Sequence, residues 1–214
     1  MGIWIKICGI KTVEAALSCA EAGADAVGFV FAESRRRISV ETAAGIIAVL
    51  PTEIDKAGVF VDMPYQDVAE IERCLGLDLL QFHGQESPHY CSLFPGKAVK
   101  SFRIASAGDL KNIEAYRGKI RACLLDSFQP GQAGGTGSTW DWDQMNPDYA
   151  EQMLGFQFIV AGGITAHNVT EALQKLKPYG IDASSGLEID GQKDHGLIKN
   201  FVQTVRRWEN GKLA

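Results

Sequence analysis

The stretch Ile3-Trp4-Ile5-Lys6-Ile7-Cys8-Gly9-Ile10-Lys11 alternates β-branched and long residues and then stops at a thiol followed by glycine. It reads as a strand whose far end carries chemistry. A buried strand has no need of a cysteine, a glycine that frees the backbone and two lysines crowded beside them unless something binds there. Taken alone, Cys8 is more often a small buried hydrophobe, the usual fate of a free cysteine, so the rest of the chain has to decide.

Outward from that strand the pattern repeats. Thr12 caps a helix that Gly23 ends, a strand follows over Asp25–Phe31, and an arginine-rich loop leads to a helix from near Ser39 to about Leu50. Further strands are read at Ala57–Val61, Leu77–His83, Ala98–Phe102, Ala122–Asp126, Phe158–Ala161 and Ile181–Ala183. Helices lie between them at Tyr65–Leu75, Pro88–Phe94, Asp109–Tyr116 (weakly patterned) and Ala166–Leu176, and a last one covers Leu197–Trp208. Eight such units in 214 residues leave about 27 residues each, tight but workable for an α/β fold of the (β/α)8 TIM-barrel type with eight parallel strands. No linker or composition shift divides the chain, so residues 1–214 are expected to form a single barrel domain. A doubly wound open sheet is the alternative, but the G-x-G-x-x-G turn after the first strand is missing.

Composition narrows the function. A net charge of -5 gives no basic footprint for nucleic acid. The five cysteines are odd in number, widely spaced and never in a C-x-x-C pair, against both a disulfide framework and a zinc site. No charged-then-apolar leader opens the chain, and no apolar run approaches the roughly 18 to 20 residues of a membrane span. A cytoplasmic protein that neither enters a membrane nor binds nucleic acid is expected, and its polar helix faces favour a monomer.

A barrel builds its active face from the loops after its strands, and residues able to handle a ligand gather there. Cys8-Gly9, Ser34-Arg35-Arg36, Gln81-Phe82-His83-Gly84, Asp126-Ser127, Gly162-Gly163 and Ser184-Ser185-Gly186 all follow strands. The small residues after strands seven and eight let backbone N–H groups approach an anion, and a short helix starting after Gly186 would aim its positive end at it. Gly134-Gly135-Thr136-Gly137 can add more amides. Each glycine turn alone is ordinary punctuation, whereas three at neighbouring strand ends make a phosphate cradle. The Arg35-Arg36-Arg37 run is by default a solvated loop, yet it lies across the mouth from that cradle and offers a planar fork for a second anion. Asp126 and Cys8 are the acid and base the residue types offer, since neither has a partner that would make it a metal ligand or a triad nucleophile. By position alone Asp126 is as readily structural as catalytic. His83 reads as a hydrogen-bonded wall residue, and Asp182 as a group of the barrel interior or the orienter of a neighbouring loop.

Lys6-Ile7-Cys8-Gly9-Ile10, Gly23 to Phe31, Ser34-Arg35-Arg36-Arg37-Ile38-Ser39, Gln81-Phe82-His83-Gly84 and Leu124-Leu125-Asp126-Ser127 together resemble phosphoribosylanthranilate isomerases. So do Gly134 to Gly137 with Trp140-Asp141-Trp142, Ala161-Gly162-Gly163-Ile164 with Asn168-Val169, and Asp182 to Glu188. The likeness runs in order from the first strand to the last. Ser138, Phe82 and Trp140 depart from it, where lysine, leucine and phenylalanine are common.

The resemblance implies an enzyme of tryptophan biosynthesis that converts N-(5'-phosphoribosyl)anthranilate, a small phosphorylated substrate, to an open-chain ketose without metal or organic cofactor. It implies Cys8 as general base, Asp126 as general acid and Arg36 on the anthranilate carboxylate. His83 lies among the substrate-facing residues, and the phosphate falls to amides near Gly163, Ser184, Ser185 and Gly186, with Gly135 beside them. That chemistry asks for a carboxyl pKa raised and a thiol pKa lowered by their surroundings, with Lys6 and Lys11 as candidate sources of the thiol shift. Two rival phosphate-binding barrels are weighed. Indole-glycerol-phosphate synthases would show catalytic lysines and a glutamate inside the strands, ribulose-phosphate epimerases a histidine and aspartate metal set, and neither is found. A non-catalytic barrel that only binds a phosphorylated metabolite is the reading from another class.

Overall fold

The expected strands close on themselves in chain order, β1 pairing with β2 and so on to β8, which pairs back with β1, every pair parallel. A computed structural model describes residues 2–104, 107–127, 142 and 157–211. The strands are β1 (Trp4–Cys8), β2 (Ala26–Val30), β3 (Asp55–Phe60), β4 (Leu79–Phe82), β5 (Ala98–Ile104), β6 (Ala122–Ser127), β7 (Gln157–Val160) and β8 (Gly180–Ala183). Among the described residues, the α-helices are α1 (Val13–Ala22), α2 (Val40–Ile47), α3 (Tyr65–Leu75), α4 (Pro88–Ser92), α5 (Val169–Leu176) and α6 (His195–Glu209). Local chemistry sets their starts. Thr12 and Ser39 cap α1 and α2 by accepting from Ala15 and Thr42 N–H at 3.2 Å each. The weakly patterned segment before β6 is a 3-10 helix, Ala107–Tyr116.

Strand alternation divides the buried residues into two populations. Outward-facing Ile5, Ile7, Val27, Phe29, Phe60, Leu80, Phe82, Val160 and Ile181 join the inner faces of the helices in the main core, as the near-continuous apolar runs of a sheet covered on both faces require. Inward-facing residues fill the barrel in layers. At the bottom, Ala57, Leu79, Val99, Ala122 and Ile159 pack together with Trp4. The next layer is partly polar, with Lys6, Gln81, Ser101 and Asp182 all buried. At the top, Cys8, Val30 and Val59 form a small apolar patch on the floor of the mouth.

One element after β8 departs from expectation. No α-helix starts directly after Gly186. Ser185–Leu187 is a single 3-10 turn, followed by a hairpin of β9 (Glu188–Ile189) and β10 (Gln192–Lys193) with Glu188 opposite Lys193. The turn between them, Asp190-Gly191, holds both residues at positive φ (50° and 75°), the backbone a two-residue hairpin demands and the Asp-Gly pair supplies.

Candidate active site

Cys8 ends β1 with its side chain inside the barrel, next to the Lys6–Asp182 pair. That pair exists because β1 closes the barrel against β8 with Lys6 opposite Asp182. Lys6 Nζ and Asp182 Oδ1 are 2.9 Å apart and nearly shut off from water, held by charge, with neither atom in a well-directed hydrogen bond. A Cβ on Gly28 would stand 2.9 Å from Cys8 Sγ and 3.1 Å from Lys6 Cε, so the bare backbone of Gly28 is the floor on which the thiol and the lysine stem come together. Gly28→Ala is expected to destabilise the fold by about 1–3 kcal/mol through overpacking and to slow turnover, seen as a lower Tm and a lower kcat. A variant as stable and active as the parent would show that the floor has slack.

Burial pushes the Cys8 thiol up; Lys6 pulls it down, Asp182 adds to the rise, Lys193 pulls back, and the upward push wins. The free site thus holds the thiol above its ordinary value, opposite to the direction the chemistry was expected to require, because desolvating a thiolate outweighs two nearby cations. The second cation is Lys193 on β10, in place of Lys11. For Lys6, burial works downward, but Asp182 and Cys8 more than offset it and keep the ammonium charged.

Asp126, near the end of β6, faces the same mouth. Its Oδ2 lies 3.2 Å from His83 Nε2, and His83 Nδ1 lies 3.2 Å from the side-chain nitrogen of buried Gln81. His83 thus lies between the Gln81 amide, which donates to Nδ1, and the Asp126 carboxyl. Asp182 links the two sides: Lys6 lies against it, Asp126 and His83 act on its charge from the other side, and it acts on the charge of Cys8. A cavity of about 280 Å³ is lined by His83, Ser101, Phe102, Arg103 and Tyr116.

Of the arginine triplet, Arg35 and Arg37 are exposed, while Arg36 turns in and is only 12% exposed. Its stem lies over Gly9, where a Cβ would fall 2.5 Å from Arg36 Cδ and where φ is +83°. That contact explains the glycine after the cysteine. The guanidinium forks onto Glu188, Nε to Oε1 at 2.6 Å and Nη2 to Oε2 at 2.8 Å. Lys193 Nζ donates to the same Oε1 at 2.7 Å and to the Ser184 carbonyl at 3.0 Å. Ser184 Oγ in turn donates to the Cys8 carbonyl at 3.0 Å. Burial alone would raise the Glu188 carboxyl, but Arg36 and Lys193 hold it down at about 2.

The loops after β7 and β8 are brought together as expected. A Cβ on Gly186 would lie 2.4 Å from the Ile164 carbonyl, so the two backbones touch there. Asn168 stitches the first loop, donating to the Gly163 carbonyl at 2.9 Å and accepting from Thr165 N–H at 2.8 Å, which delays the start of α5 from Ala166 to Val169. Gly163, Ser184, Ser185 and Gly186 therefore share one side of the mouth. Gly135, the rest of 134–137, Ser138, Trp140 and Asp141 lie outside the described residues.

Residues 5–204 match the family model described as N-(5'phosphoribosyl)anthranilate (PRA) isomerase. The chain belongs to the phosphoribosylanthranilate isomerase family. A phosphoribosylanthranilate isomerase of Moorella thermoacetica is 42% identical over 205 residues, spanning 96% of this chain and 90% of that one. The crystal structure of the isomerase from Thermotoga maritima overlays with a TM-score of 0.85 at 33% identity, covering 95% of this chain and 98% of that one. Another isomerase structure, in complex with reduced 1-(o-carboxyphenylamino)-1-deoxyribulose 5-phosphate, overlays with a TM-score of 0.83 at 32% identity over 95% and 98% of the two chains.

Two features of this family member escaped the sequence reading. Glu188 and Lys193 carry no mark of a role in the sequence, although Asp190-Gly191 between them is a hairpin signal that sets them opposite each other. No signal of comparable clarity foretells the Lys6–Asp182 pair, which depends on barrel closure.

Proposed function

We propose that this chain isomerises N-(5'-phosphoribosyl)anthranilate with Asp126 as acid and Cys8 as base, Arg36 holding the anthranilate carboxylate and the loops around Gly163 and Ser184–Gly186 holding the phosphate. The observation that carries the reading is the arrangement of the mouth: Asp126 near the end of β6 and Cys8 at the end of β1 open onto it with Asp182 of β8 between their strands, and the Arg36 fork is joined through Glu188 and Lys193 to the serine loop that touches the β7 loop.

The bonds follow from those residue types. Asp126, protonated, gives its proton to the furanose ring oxygen as the C1′–O4′ bond breaks, and the anilino nitrogen lone pair forms the C1′=N bond of an iminium. Cys8 as thiolate takes the C2′ proton, and the electron pair left behind forms C1′=C2′ and neutralises the nitrogen. The resulting enolamine loses its hydroxyl proton and gains one at C1′, giving the ketone with no net change in atoms. Lys6 and Lys193 favour the developing thiolate and offset part of the burial that disfavours it.

The fluorescence of freshly formed phosphoribosylanthranilate should decay faster in the presence of the purified protein. Decay at the spontaneous rate would leave the non-catalytic barrel as the better reading. For assembly, the polar outer faces of the helices support a monomer, although a Thermotoga maritima relative is described as dimeric. Sedimentation at assay concentration separates the two.

A further inference from the structure

We propose that Glu188 is a positioning residue that decides which edge of Arg36 faces the substrate carboxylate; this rests on the functional reading above. An arginine has five N–H donors on two usable edges, one made by Nε with one terminal nitrogen and one made by the two terminal nitrogens. Glu188 fills the first edge, with Nε on Oε1 and Nη2 on Oε2. The end-on edge, one hydrogen of Nη1 and the remaining one of Nη2, is left for a second carboxylate in the same fork geometry.

Glu188 is anchored so that it cannot follow the guanidinium away. Its side chain is 5% exposed, its Oε1 also accepts from Lys193, and its Oε2 lies 3.5 Å from Arg35 Nη2. Lys193 is tied to the Ser184 carbonyl, and Ser184 to the Cys8 carbonyl. The fork is thereby fixed relative to the strand end that carries the thiol, the distance a substrate bridging carboxylate and C2′ has to match. Three cations against one carboxylate leave positive charge over, so Glu188 orients Arg36 without neutralising the pocket. The Asp190-Gly191 hairpin puts Glu188 and Lys193 opposite each other for this purpose.

Glu188→Gln keeps size and one acceptor but sets an amide donor against a guanidinium donor, so one arm of the fork is lost. It is expected to raise KM about 10-fold or more with kcat within about 3-fold, and to weaken binding of the reduced product analogue in the same proportion. Competitive inhibition by inorganic phosphate should not change. Glu188→Asp, charged but too short for both nitrogens, should fall between the two. In an Arg36→Lys background, adding Glu188→Gln should cost less than about 2-fold more, because the edge it controls is gone. An unchanged KM, a fall in kcat together with weaker phosphate inhibition, full additivity with Arg36→Lys, or loss of fold in both Glu188 variants would each overturn the proposal. Failure of the underlying function shows separately, as absence of turnover by the unaltered protein.

Discussion

Exchanging Asp126 for asparagine is expected to cut kcat by ~100-fold or more while leaving KM within a few fold, and exchanging Cys8 for serine is expected to do the same. Neither change removes a buried anchor. Asp126 keeps its place on β6 opposite Arg103 of β5, and an asparagine still meets His83, but its amide has no acidic proton to give to a ring oxygen. A serine at position 8 fits the space of the thiol, yet its hydroxyl is far too weak an acid to supply an anion at neutral pH. Because both groups act on one substrate in successive steps, the double variant should lose little more than the worse single one. The measurement is the decay of substrate fluorescence under saturating and limiting conditions. Near-parental kcat in either single variant would remove that residue from the chemistry, whatever its position in the mouth.

The architecture was legible because a sheet covered on both faces writes itself as apolar runs, and because Thr12 and Ser39 mark helix starts with side chains that the structure finds capping them. The strand-end residues were legible for a topological reason: in a parallel barrel every strand delivers its last residue to the same face. What stayed hidden depends on distances along the chain that no local pattern spans. Lys6 and Asp182 become neighbours only when the first strand is hydrogen-bonded to the last, and Arg36 reaches Glu188 across a sequence separation of 152 residues. The sign of the Cys8 shift was unreadable for another reason. Two lysines near a thiol argue for an easily formed thiolate, but depth of burial decides the contest, and depth belongs to the packed barrel.

The Lys6–Asp182 pair allows that contest to be tested with opposite signs. Lys6→Met removes the cation that most strongly favours the Cys8 thiolate, so the thiol should titrate at higher pH than in the parent, and kcat/KM at neutral pH should fall ~10-fold or more. Asp182→Asn removes an anion that disfavours the thiolate and leaves the Lys6 ammonium with the sulfur as its remaining counter-ion, so the thiol should titrate at lower pH. The direction follows from which form is needed: the thiolate grows as pH rises, so the rising limb of alkylation rate and of kcat/KM against pH moves up for Lys6→Met and down for Asp182→Asn. Both variants break a buried ion pair and should lose roughly 3–5 kcal/mol of stability, so Tm falls in each and cannot separate the roles. Thiolate absorbance and iodoacetamide labelling can, measured in a Cys74→Ser background because Cys74 is the exposed cysteine. A purely structural pair would weaken the fold twice and leave the Cys8 titration where it was, or move it the same way in both variants; opposite displacements require the pair to set the charge on the sulfur.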